Sequence, residues 1–134
     1  MKDDTEAIKW YRKAADQGDV VAESNLGFMF ENGNGVAKDD VEALKWYQKA
    51  AAQGEAVAQY NLGARYEAGH GVPKDEVESY KWYLLAGAQG NVTAKKNSSA
   101  LERLLKPEQR AEGQRLAREF KPRVATPASP AGPR

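Results

Sequence analysis

Between Val41 and Gly54 the apolar positions 43, 44, 46, 47, 50 and 51 follow the period of an α-helix, but they cover more than one narrow stripe. Such a helix has to be packed on more than one side. A different pattern precedes it. Ala22, Leu26, Met29 and Phe30 fall at spacings of three and four and define a single helical face, which Ala58, Leu62 and Tyr66 repeat. The chain alternates these two kinds of segment. "TEAIKWYRKAADQG" from Thr5, "VEALKWYQKAAAQG" from Val41 and "VESYKWYLLAGAQG" from Val77 are one phrase; "NLGFMFENGNGV" from Asn25 and "NLGARYEAGHGV" from Asn61 are the other.

The period is 36 residues, read from Trp10, Trp46 and Trp82 and again from Gly18, Gly54 and Gly90. Asp3, Asp39 and Asp75 each precede a glutamate by three residues, an acidic form of the capping box that predicts a helix start. Gly18, Gly54 and Gly90 supply the left-handed residue on which helices end. Gly27 and Gly63 interrupt the first helix of each pair at equivalent places. A mid-helix glycine costs about 1 kcal/mol relative to alanine, so its recurrence predicts that a neighbouring helix passes close by. The Gly33–Gly35 and Gly69–Gly71 stretches are the connecting loops. A two-helix unit of this size cannot bury its apolar surface alone, and side-by-side stacking of such units removes it from water.

These motifs resemble the Sel-one-like repeat (SLR) family, bacterial and eukaryotic relatives of the tetratricopeptide repeat. Ala22 to Gly54 carries the family pattern through Asn25, Leu26, Gly27, Phe30, Gly33, Gly35, Val36, Asp39, Ala43, Trp46, Tyr47, Ala50 and Ala51. Ala58 to Gly90 departs from it only at Ser79, Leu85 and Gly87. The resemblance implies an all-α, right-handed α-solenoid of stacked helix-turn-helix repeats, and a bacterial source is the expectation. Residues 1–121 are expected to form the solenoid: 4–18 the second helix of an incomplete repeat, 20–54 and 56–90 two repeats, and 93–120 a degenerate repeat with capping helices. Ser98 and Ser99 stand where Leu-Gly would be. Pro107 is placed at the first position of the last helix, whose apolar face is Gly113, Leu116, Ala117 and Phe120. Residues 122–134, rich in Pro and Ala without an apolar period, are expected to be a flexible tail.

Composition narrows the chemistry. The chain has 134 residues, no cysteine and one histidine, so disulfides, thiolate metal sites and cysteine nucleophiles are excluded. No apolar run approaches the roughly 20 residues of a membrane span, and no hydrophobic signal core follows Met1. The chain reads as soluble, cytoplasmic as written, or periplasmic or secreted if a leader was removed. The net charge of +1 hides an asymmetry: residues 1–70 carry 8 Lys+Arg against 12 Asp+Glu, and residues 71–134 carry 12 against 7.

The resemblance implies a protein–protein interaction scaffold, not an enzyme, that binds a peptide or protein along the concave surface lined by the first helix of each repeat. Asn25, Asn61 and Asn97 stand where an amide can meet a bound backbone, because an amide both donates and accepts. Ser24, Tyr60 and Lys96 hold the preceding position, and Phe28, Ala64 and Ala100 another; of these, Ser24, Phe28, Tyr60, Ala64 and Lys96 join the three asparagines as candidate partner contacts. The Trp10/Trp46/Trp82 column belongs to the second helices and reads as packing between units. Lys9, Lys45 and Lys81 each follow a glutamate by three residues and read as a solvated face. No catalytic residue, metal ligand or cofactor is expected. His70 sits in a Gly-His-Gly loop where the other copy has Asn34. The alternatives are a hydrolase of cell-wall or β-lactam type, which the family also suggests, and nucleic-acid binding by the basic segment from Lys95, which no stacking aromatics accompany.

Overall fold

In a computed structural model, described here for residues 2–123, those residues form seven helices and no strand. They are α1 (Lys2–Asp16), α2 (Val20–Asn32), α3 (Asp40–Ala52), α4 (Ala56–Ala68), α5 (Glu76–Ala88), α6 (Val92–Leu104) and α7 (Pro107–Glu119). The expected solenoid is present. Pairs α2/α3 and α4/α5 are the two complete repeats, with α1 before them and α6 and α7 after. Residues 124–134, and with them most of the expected tail, lie outside the described residues.

Local chemistry sets the boundaries. Asp39 and Asp75 accept hydrogen bonds from the backbone N–H of Glu42 and Glu78, both at 3.0 Å, so the predicted caps form. Asp19, Glu55 and Asn91 cap α2, α4 and α6 in the same way. The expectation for Asp3 needs correction: α1 already begins at Lys2, so Asp3 lies inside the helix and does not flank it. At the other ends, Gly33 and Gly69 adopt φ of +70° and +75° and return their N–H groups to the carbonyls of Met29 and Arg65, the left-handed ending that glycine favours.

The two helices of each repeat meet across a glycine and a tyrosine ring. A Cβ placed on Gly27 would stand 2.7 Å from two ring carbons of Tyr47. The same atom on Gly63 would stand 2.9 Å from Tyr83. The absence of a side chain therefore lets each ring lie on the neighbouring backbone, as the recurrent glycines predicted. Leu26, Ala43, Tyr47, Ala50, Ala51, Ala58 and Leu62 fill the main core, which α1 joins through Ile8 and Ala15. A second core under α6 contains Tyr80, Tyr83, Ala86, Ala94, Leu101 and Leu105.

Buried polar groups tie the two helices of each repeat together, and in one place reach the preceding repeat. Gln89 donates to the Gly54 carbonyl at 2.7 Å and to Oε1 of the buried Gln59 at 2.9 Å. One repeat earlier Gln53 donates to Oε1 of Glu23, which is fully buried. Each satisfies a group that would otherwise be stranded away from water.

The last helix behaves differently from its counterparts. Its Arg110 donates to the carbonyls of Glu102 and Leu105 at the end of α6, at 3.1 and 2.8 Å, but the helix packs chiefly on α5. The contact is again glycine against tyrosine, with a Gly113 Cβ falling 2.5 Å from the Tyr80 ring. The Tyr80 hydroxyl donates to Glu102 of α6 at 2.8 Å and accepts from Gln114 of α7 at 3.1 Å. Beyond α7, Phe120 meets Trp82 edge-on with centroids 5.6 Å apart. Arg123 then donates its backbone N–H to the Ala52 carbonyl at the end of α3, at 2.8 Å.

Candidate functional site

The first helices α2, α4 and α6 share a face that neither core covers. Three of its residues are large, apolar and exposed: Val21, Phe28 and Val57, each more than half accessible. Val21 and Phe28 are seven residues apart on α2, two turns along the same side. Val57 is Val21 moved by one period. Leu104, seven residues after Asn97, extends the strip onto α6 and is 73% exposed. A helix in water places such residues outward singly; a run of them along one face marks a surface suited to binding.

The residues singled out in the sequence distribute unevenly on this face. Phe28 and Lys96 are exposed; Asn25, Tyr60, Asn61, Ala64 and Asn97 are half-buried. Ser24 is buried, at 7% accessibility, and offers little to a partner. The Tyr60 ring leans on Tyr83 with centroids 5.8 Å apart, which leaves it rigid at the centre of the strip. The Asn97 amide offsets a small part of the upward push on the Tyr83 phenol, which places it close to that ring.

Val21, Val57 and Leu104 were not among the sequence candidates. Their signal was available, because they lie three or four residues before the candidate positions, or seven after, on the same helical face. Two carboxylates were also missed. Glu31 and Glu67, one period apart, accept the Tyr47 and Tyr83 hydroxyls at 2.7 Å each. Burial, reinforced by these carboxylates, pushes both tyrosines far above the ordinary phenol range. Glu31 is further paired with Arg65, a buried guanidinium that also reaches Asp40 at 3.6 Å. Asp40 is held below the usual carboxylate range chiefly by the Lys38 ammonium at 3.0 Å. On α6 Leu101 takes the place that Arg65 has on α4, and among the described residues no cation lies within ion-pair distance of Glu67. The strip is therefore apolar along its length, neutralised at one end and acidic near Tyr83.

The remaining sequence features fall elsewhere. Lys45 and Lys81 meet Glu42 and Glu78 at 4.0 and 3.1 Å; Lys45 is solvated as expected, whereas Lys81 is largely covered, with its ammonium 4.1 Å from the centroid of the Trp82 ring. His70 is exposed in its loop. Among the described residues, no group of three or more His, Asp or Glu side chains is placed to hold a metal ion, and no helix is long and apolar enough to cross a membrane. The tryptophan column packs only in part: Trp82 is 7% exposed, Trp46 is half-buried, and Trp10 is 62% exposed. The difference follows from neighbours, since Phe120 covers Trp82 and among the described residues no aromatic ring stands in the same way against Trp10.

Comparison with known proteins matches residues 1–19, 20–55 and 56–91 to the family model of the Sel1 repeat. No curated protein matches the chain. Among solved structures, a protective antigen present in uropathogenic Escherichia coli strains, displaying an SLR fold, superposes with a TM-score of 0.83 at 35% identity over 87% of this chain. This chain spans 25% of the length of that protein. A Sel1 repeat protein from Oxalobacter formigenes superposes with a TM-score of 0.68 at 47% identity, over 69% of this chain and 70% of its own.

Proposed function

The chain belongs to the Sel1 repeat family, and on that premise we propose that the shared face of α2, α4 and α6 binds an extended segment of a protein partner. Sel1 repeat proteins are generally protein-interaction scaffolds. The observation that carries the reading is the strip of exposed Val21, Phe28 and Val57, with the half-buried Tyr60 beside them, on helices whose opposite sides form the core. Apolar side chains of the partner would pack along it, and Asn25 and Asn61 would meet its backbone. The acidic end at Glu67, lacking the guanidinium that Glu31 has, favours a basic side chain there. A rigid ring such as Tyr60, already immobilised on Tyr83, loses little conformational entropy on binding.

Selection of peptides from a displayed random library tests this. Peptides retained by the native chain should be lost with Phe28→Asp and Val57→Asp, which introduce charge at exposed positions outside the core, and kept with Lys45→Ala on the opposite side. Peptides that bind all variants equally, or a library that yields none, would remove the reading.

A further inference from the structure

The segment after α7 occupies a defined place on the second helices. Phe120 sits against Trp82, Pro122 lies beside Gly54, and the Arg123 N–H satisfies the carbonyl of Ala52. Phe120 itself is extended, with φ −64° and ψ 132°, the polyproline-like conformation. The last carbonyls of a helix have no partner within it, so a passing backbone N–H is a natural complement. Every element of this arrangement has a copy one period earlier: Trp46 for Trp82, Gly18 for Gly54, and Asp16 for Ala52.

That earlier copy is open. Among the described residues no donor reaches the carbonyl of Asp16, whereas Ala52 receives Arg123. Trp46 keeps part of its side chain accessible, although its indole Nε1 is itself buried and without a partner, whereas Trp82 Nε1 donates to Glu78 at 3.2 Å. Gly18, like Gly54, has positive φ, +89° against +97°, so the backbone turns away alike at both places. Lys49 replaces Leu85 beside the ring and stands 5.6 Å from its centroid, which keeps the place from being covered by an apolar neighbour.

We propose that Trp46, Gly18 and the carbonyl of Asp16 form a docking site for an extended segment of a partner chain carrying an aromatic residue followed two positions later by proline. The chemistry is that of Phe120–Arg123, which fills the equivalent place within this chain. The site lies on the second helices and is independent of the strip on the first helices.

A peptide with the sequence of residues 119–123, blocked at both ends, is titrated into the full-length, isotope-labelled chain and followed by amide and indole NMR. Saturable shifts are expected at Gln17, Gly18 and the Trp46 indole, with the Phe-to-Ala peptide at least tenfold weaker. Shifts confined to Ala52, Gly54 and Trp82, equal binding of the two peptides, or no saturable shift would overturn the proposal. Because the chain has no cysteine, a nitroxide on Ser129→Cys reads the competing occupant. Broadening of Gly18 by that label in the free chain would give the site to the chain's own terminus and overturn it as well.

Discussion

Gly63 and Tyr83 lie so close that a methyl group on the glycine would stand 2.9 Å from the ring and 3.3 Å from the carbonyl of Ser79. The Ser79 hydroxyl, in turn, donates to the Gly63 carbonyl at 2.8 Å. The two helices of the repeat are thus held at a separation that glycine alone permits, and the ring then extends its hydroxyl to Glu67.

Gly63→Ala is expected to destabilise the protein. Overpacking costs about 1–3 kcal/mol, which exceeds or cancels the about 1 kcal/mol of helix propensity gained. In a Tyr83→Ala background the obstacle is gone and the same substitution should stabilise. Urea unfolding of the four proteins checks this; an equal effect in both backgrounds would show that the ring is not the obstacle.

Arg65 and Glu31 join the two repeats, and Arg65 is buried. Arg65→Leu, which copies the residue at 101, should cost about 1–3 kcal/mol because charged hydrogen bonds are lost. Much of that cost should vanish when Glu31→Gln is already present. A double-mutant cycle is expected to give a coupling of about 0.5–3 kcal/mol; a coupling near zero would leave the guanidinium held by packing alone.

Glu23 is fully buried, with Oε2 lacking a hydrogen bond, and burial raises its pKa above the ordinary 4.5 despite the opposing Gln53 and Lys49. The folded protein therefore holds this proton more tightly than the unfolded chain. That contribution is fully present below the unfolded value and is lost as pH rises through the folded one. Glu23→Gln, which copies Gln59, is expected to raise Tm at neutral pH, by an amount that shrinks as the solution is acidified through the carboxylate range. A difference in Tm that is constant with pH would contradict it.

Gly113→Val should detach α7 while leaving the repeats intact, because the nearest atoms an added Cβ would meet all belong to the Tyr80 ring. Hydrogen exchange is the measurement. Faster exchange restricted to α7 and the adjoining turns of α5 and α6 is expected; uniform acceleration along the chain would mean that α7 is integral to the whole stack.

Much of the scaffold was legible because repetition turns one local signal into several. Asp39 and Asp75 capped their helices as the spacing indicated, and Gly27 and Gly63 marked helix contacts although the ring that fills them is twenty residues away. Asp3 failed because its helix starts two residues earlier than its counterparts do. The placement of α7 was hidden: Tyr80 stands where Ile8 and Leu44 stand, and the sequence pattern does not distinguish a tyrosine that fills a core from one that receives another helix. Glu23, Gln59 and Arg65 were equally opaque, since a polar residue on an interior face has no periodic signature and depends on partners about 30 residues away in the chain. Of the strip on the first helices, Phe28 and Tyr60 could be read, whereas Val21 and Val57 look like ordinary helix-start residues until their exposure is known.

The phenols of Tyr47 and Tyr83, sealed against glycine and bonded to carboxylates, keep their protons well into alkali while the fold lasts. In an alkaline titration followed by ultraviolet absorbance, these two would contribute phenolate signal only once the helices separate. The chain thus carries its own optical gauge of whether neighbouring helices are still in register, one chromophore for each complete repeat.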